Sequence, residues 1–273
     1  MNKRTPYAAG LFYLGYEEGL TRDVKKLLKA QAERESNVKA KGVVVPHAGY
    51  EYSGPVAGSV YGAIDPPKRF IIIGPNHSGF GFPISIEDTG TWKTPLGNAE
   101  IDEALAAHMM ANSKNIKVSY DAHRLEHSVE VQLPFLQVIT GNDFTFVPVA
   151  IKGLPDITVY REVGHGIAEA IRQEKEDVLI VASTDFTHYE PLPVAESMDK
   201  LAIEAILAMD PEFLLQTVYE NDITMCGVGP VATMLYATKE LGATKAELIK
   251  YATSADFSMD TASVVGYGGL VVS

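Results

Sequence analysis

Three apolar runs in this 273-residue chain end in the same way, and that shared ending constrains the fold more than any other feature. "VVVPHAG" (43–49), "IIIGPNHSG" (71–79) and "VLIVASTDFTH" (178–188) all start with β-branched or other apolar residues. Each then breaks into proline, glycine or hydroxyl residues that carry a histidine or a carboxylate. Runs with no polar alternation suit strands covered on both faces, as in a parallel sheet. The polar endings then lie just past the carboxyl ends of those strands, the edge at which open α/β sheets bind ligands.

The segments between these runs read as helices. Residues 21–35 carry Val24, Leu27 and Leu28 at helical spacing, with Thr21 as N-cap. Residues 102–112 form a second helix, residues 126–140 a third that is interrupted or kinked near Pro134, and residues 160–173 a fourth. Asp210 and Pro211 supply an N-cap and first position, and "MCGVGPVATMLYATKELG" (225–242) is a glycine-rich helix entry closed by Gly242. "FTFVPVAI" (144–151) adds a strand, and residues 246–256 and 262–272 read as the final strands. With no linker, repeat or low-complexity tract between these elements, the pattern predicts one α/β domain over residues 1–273.

Composition narrows the function classes. The 35 acidic against 23 basic residues give a net charge of −12, which disfavours nonspecific nucleic-acid binding because phosphate contacts need clustered cations. No apolar run approaches the roughly 18 residues of a membrane span. The first twenty residues reach Glu17 and Glu18 too soon for a signal peptide and read as mature sequence. A single cysteine excludes an intrachain disulfide and fits a reducing, cytoplasmic setting.

Parallel strands deliver their carboxyl ends to one edge, so His47, His77 and the Asp185/His188 pair are expected to converge. Cys226 reaches the same place from its helix entry. Two imidazoles and a thiolate make a three-ligand metal site with an open position. The helix N-terminus behind Cys226 favours the thiolate. His188 follows Asp185 by three, a spacing that lets the carboxylate orient or charge the ring if a helix starts there, for proton transfer. Ser183, Thr184, Asn76 and Glu130 are candidates to hold the ligating rings from behind. "HRLEH" has His123 and His127 at i,i+4 but lacks the glutamate directly after its first histidine that a zincin helix requires. His108 and His165 read as ordinary helix residues.

"RTPYAAGLFY", "VVPHAGYEYSGPVAG", "IIIGPNHSG", "TPLG", "EHSVEVQLPFL", "STDFTHY" and "CGVGP" stand in this order nearly end to end. In them the chain resembles the Memo family, including the archaeal and bacterial members called AmmeMemoRadiSam system protein B. The resemblance implies an α/β/α sandwich with a central, mostly parallel sheet, the fold of class III extradiol dioxygenases. It puts His47, His77 and Cys226 in the metal-site positions, Asp185 and His188 in the neighbouring polar pair, and His188 at the counterpart of the dioxygenases' catalytic histidine. Those dioxygenases bind iron(II) with two histidines and a carboxylate, whereas the thiolate here shifts preference toward copper(I), zinc or a different iron chemistry. The expectation is a metal-binding redox protein or oxidoreductase holding iron(II) or copper, with a small oxidisable molecule or a peptide as its partner. The rivals are a non-catalytic peptide or small-ligand binder using the same cleft, and a zinc hydrolase with His188 as base.

Overall fold

A computed structural model of the protein describes residues 2–29, 38–154 and 156–273. Five strands form the centre: β1 (Gly42–Val45), β2 (Arg69–Pro75), β3 (Thr145–Ile151), β4 (Val178–Ser183) and β5 (Val264–Val272). They lie in the order β3-β2-β4-β1-β5. The first four run parallel, with Ile71 beside Val147 and Ile180 and with Val43 beside Val181, while β5 runs antiparallel to β1. Short strands extend the sheet past β3, and Ala246–Thr253 and His188–Glu190 pair with β5 on the other side. The carboxyl ends of β1, β2 and β4 therefore share one edge.

Alternation along each strand sorts the core into two sides. Val44, Ile71, Ile73, Val147, Val149 and Ile180 pack with helices Glu103–Asn112, Thr158–Arg172, Leu192–Leu207, Pro211–Glu220 and Val228–Glu240. Val43, Val45, Phe70, Ile72, Leu179 and Val181 face helices Glu17–Lys29, Gly54–Tyr61 and Leu133–Thr140. The result is the expected α/β/α sandwich. Among the described residues, no helix is long and apolar enough to cross a membrane.

Two helix expectations change. The first helix begins at Glu17, not at Thr21, which lies inside it; Glu17 and Glu18 in the first turn and Lys26 and Lys29 in the last suit the helix dipole. Residues 30–35 of that expectation lie outside the described residues. The helix expected over 126–140 is not kinked at Pro134. It starts at Leu133, with the proline in its first turn where a missing N–H costs nothing, and Gly141 closes it at φ 64°. A short 3₁₀ turn, Glu130–Gln132, precedes it, which leaves residues 126–129 as a turn in which the His127 and Ser128 amides meet the Glu126 carboxylate.

Candidate metal centre

At the carboxyl edge the chain leaves β1 through Pro46 into His47, leaves β2 through Asn76 into His77, and leaves β4 through Thr184 into Asp185. Cys226 arrives from the far side of the sequence, just ahead of helix Val228–Glu240. One ligating atom from each of His47, His77 and Cys226 can be chosen so that all lie within 4.8 Å of one another. Cys226 Sγ is 3.4 Å from His47 Nε2, and the two imidazole centroids are 5.3 Å apart at 75°. Topology thus brings together the three residues singled out as ligands.

Hydrogen bonds fix which nitrogen each ring offers. Ser183 Oγ donates its one proton to the Ser128 carbonyl at 2.7 Å and accepts from Gln132 Nε2 at 2.9 Å. Toward His47 Nδ1, 3.0 Å away, it can therefore only accept, so His47 carries its proton on Nδ1 and turns the Nε2 lone pair to the sulfur. His77 Nδ1 lies 2.9 Å from Glu126 Oε1, which leaves Nε2 free in the same way. Glu126 is wholly buried and also accepts the backbone N–H groups of His77 (2.6 Å), His127 (3.0 Å) and Ser128 (2.9 Å).

The electrostatics follow from this packing. Burial, reinforced by the charge of His77, pushes His47 down to about 3, so it is neutral at ordinary pH. Burial alone would raise Glu126, but the His77 N–H and charge and the Ser128 amide outweigh it and hold the carboxyl down at about 2. His77 moves up: burial opposes its charge, and the Glu126 bond and charge win.

Cys226 corrects one expectation. Burial pushes its thiol up and the neighbouring Asp185 carboxylate pushes it further, against the weaker pull of the Asp185 N–H, 3.4 Å from the sulfur. The helix entry does not prevail, because the Gly227 N–H is given to Thr184 Oγ1 at 3.0 Å. Gly227 is required here: a Cβ would stand 2.4 Å from the Thr184 side chain and 2.6 Å from the Ser183 carbonyl.

The expected Asp185–His188 arrangement also changes. After β4 the chain does not enter a helix; Phe186 N–H bonds Gly266 O, and His188–Glu190 pairs with β5. The i,i+3 relation that would stack carboxylate and ring is absent. Asp185 Oδ1 instead accepts the N–H groups of His47 (2.8 Å) and Ala48 (3.3 Å), and Oδ2 lies 3.9 Å from His47 Nε2. His188 is held by Thr224, whose carbonyl accepts from Nδ1 at 2.9 Å, leaving Nε2 as a proton acceptor. Its neighbour Tyr189 has φ 63° and is 77% exposed, a strained backbone beside a candidate proton carrier.

Of the residues expected behind the ligands, Ser183 and Thr184 do touch His47 and Cys226. Asn76 does not; its side chain closes its own loop onto Ser78, Gly79 and Phe80. Glu130 points away and binds Arg4, the Tyr7 and Ala8 amides and the Tyr13 hydroxyl. The sequence reading did not single out Glu126, and it set His127 aside with the "HRLEH" pair. His127 is stacked between Phe12 (4.3 Å, 24°) and His77 (4.9 Å, 14°), with its ring edge-on to His47 at 5.4 Å. Burial, with the charge of His47, pulls it down to about 4. Helix Asp121–Arg124 stops before His127, so His123 turns into the core against Trp92 while His127 turns to the site. The available signal was a Glu-His-Ser run placed ahead of a proline-started helix, where a carboxylate can gather free amides.

The donor set fits a soft or borderline metal: two imidazole Nε2 atoms turned inward and one sulfur, with hydrogen bonds behind both rings. Two further groupings meet the same distance: His77, Glu126 and His127, which share His77 with the site, and His165, Glu169 and Glu240, which are exposed or half-exposed with both glutamates already bonded by Arg172.

Known proteins resemble this chain along nearly its whole length. The family described as "Memo-like protein" matches residues 4–271. A "MEMO1 family protein" of Methanosarcina barkeri is 41% identical over 269 residues, covering 98% of this chain and 99% of its own. One from Methanothermobacter thermautotrophicus is 42% identical over 276 residues, with 98% and 99% covered. One from Methanopyrus kandleri is 39% identical over 279 residues, with 98% of both covered. The crystal structure of an uncharacterized Escherichia coli K12 protein superposes with a TM-score of 0.58 at 16% identity, over 85% of this chain and 100% of that one. That last likeness speaks to the fold alone.

Proposed function

This chain belongs to the Memo family, and from the site geometry we propose that it is a metal-binding redox protein in which His47, His77 and Cys226 hold copper or iron(II). The observation that carries the reading is the convergence of three ligating atoms within 4.8 Å, with both rings turned Nε2-inward by their own partners. Such a metal would supply one-electron or dioxygen chemistry when bound. The protein's residues would do the rest. Cys226 must give up its proton to ligate, and because His47 Nε2 is itself needed as a ligand, the Asp185 carboxylate, with Oδ2 3.9 Å from that nitrogen, is the acceptor at hand. His188, with Nε2 free, would take or return protons for a substrate at the rim, and Asp185 would hold the His47 backbone through its N–H while sensing the charge of His188.

The test is metal analysis of protein purified anaerobically with reductant, followed by copper(I), iron(II) and zinc(II) titration. Stoichiometric copper(I) or iron(II) with a redox response supports the reading. Zinc alone with no redox response favours the hydrolase, and a cleft that holds no metal but binds a peptide favours the binding protein.

A further inference from the structure

Arg4 is 9% exposed and donates in three directions. Nε–H reaches the His123 carbonyl at 2.8 Å, Nη2 the Glu126 carbonyl at 2.7 Å, and Nη1 the Glu130 carboxylate at 2.5 Å. Its guanidinium lies over Trp92, 4.0 Å from the ring centroid. The three acceptors span the stretch between helix Asp121–Arg124 and the 3₁₀ turn Glu130–Gln132. No strand or helix holds residues 125–129, and Glu126 lies in the middle of them.

Glu126 is therefore gripped at both ends. Its carbonyl is fixed by Arg4, and its carboxylate fixes the backbone and Nδ1 of His77. Glu130 ties the same knot to the amino-terminal segment by accepting from Tyr7, Ala8 and Tyr13. That segment carries Phe12 onto the ring of His127, which in turn stacks on His77. A guanidinium is a planar fork whose donors meet separate acceptors at fixed angles; an ammonium keeps the charge but not the fork.

We infer that Arg4 is a positioning residue for the candidate metal centre: by fixing the turn that carries Glu126, it sets the orientation and the tautomer of His77. The inference rests on the reading of His77 as a ligand through Nε2. Its competitor is that Arg4 and Glu130 form a buried pair that only stabilises the fold.

The experiment uses the full chain labelled with ¹⁵N-histidine, with Arg4→Lys, the charge-free pair Arg4→Met/Glu130→Gln, and Glu126→Gln as reference. Arg4→Lys keeps the charge opposite Glu130, so it reports even if the double variant does not fold. The ring nitrogens are read by NMR in metal-free protein at alkaline pH, and copper(I) affinity is read by competition with a chelator. In Arg4→Lys, His77 shifts from one tautomer to a mixture and copper(I) affinity falls about tenfold, the size expected when a ligand's orienting partner is disturbed. The His47 nitrogens stay put, because Ser183 holds that ring from another strand. Glu126→Gln moves the same signals in the same direction and further. Variants that melt earlier but keep wild-type His77 nitrogen shifts and affinity would overturn the inference. If the wild type binds neither copper(I) nor iron(II), the metal reading fails, while the His77 spectra still decide the role of Arg4.

Discussion

Strand β2 starts at Arg69 on one edge of the sheet and delivers His77 just past the other, and the two ends use the same residue types differently. At the amino edge Arg69 grips Asp102 through two nitrogens and Glu174 through a third, and Glu174 also meets His108 Nδ1 at 2.7 Å. At the carboxyl edge Glu126 meets His77 Nδ1 at 2.9 Å in almost the same way. The difference is the cation. Arg69 neutralises its carboxylates, whereas among the described residues no lysine or arginine bonds the side chains of His47, His77, Glu126, Asp185 or Cys226. A histidine–glutamate contact is thus ordinary cement at one end, and at the other it orients a ring whose second nitrogen faces further donors.

The largest effect that would sharpen this contrast is at Cys226. Cys226→Ser should lower copper(I) affinity by roughly a thousandfold, since a hydroxyl is a poor ligand for a soft ion, and Cys226→Glu should shift preference toward iron(II). His77→Ala should fall with Cys226→Ser in the same competition assay. Equal affinity in wild type and Cys226→Ser would remove the sulfur from the site.

Arg69→Met should come next and register only in stability. It leaves Asp102 and Glu174 partly buried without their cation, a loss of about 3 kcal/mol in urea denaturation, with copper(I) affinity within twofold of wild type. An affinity loss as large as that of His77→Ala would show that the two edges are not independent.

Glu126→Gln should weaken copper(I) about 10- to 100-fold by removing the charge that holds His77 Nδ1–H and turning one of the two accepting oxygens into a donor. It should also change acid stability in a defined window. The folded carboxyl sits near 2, below its unfolded value of 4.5, so the folded state binds the proton less tightly. Its stabilisation, roughly 3 kcal/mol, is present above pH 4.5 and lost as pH falls toward 2. The wild-type advantage over Glu126→Gln should therefore be widest near pH 6 and close by pH 2. A gap that stays constant across that range would mean Glu126 is not held ionised.

The smallest expected effect is that of His108→Ala, whose side chain is 39% exposed. It should cost at most about 1 kcal/mol and leave metal affinity unchanged. Together with His77→Ala it separates two histidine–glutamate pairs of similar geometry.

The sheet was legible because its signal is local. Val43–Val45, Ile71–Ile73 and Val178–Ala182 are apolar without alternation, and Pro46 and the Ser-Thr pair place the edge, although β2 runs on through Gly74 and Pro75, where the Gly-Pro pair reads as a stop. His47, His77 and Cys226 followed from topology. Glu126 and His127 did not, because the helix expected over 126–140 starts only at Leu133, which leaves both residues in the turn before it. The Asp185–His188 contact failed for a similar reason: hydrogen bonds from β5 claim residues 186–190, and i,i+3 spacing means proximity only in a helix. The thiol's upward shift was hidden as well, since burial among distant segments, not the adjacent helix, sets it.

The contact between Cys226 and His47 spans 179 positions, and this bears on how the protein is made. Synthesis proceeds from the amino end, so His47 and His77 leave the ribosome long before β4 can dock between their strands. At that stage Ser183 is not there to turn His47, and the sulfur has not yet been translated. A nascent chain can offer an ion only two unoriented imidazoles. On the proposed reading, discrimination between metals would therefore belong to the finished molecule, and its loading would be set by the pool the released protein meets, not the one surrounding the translating ribosome.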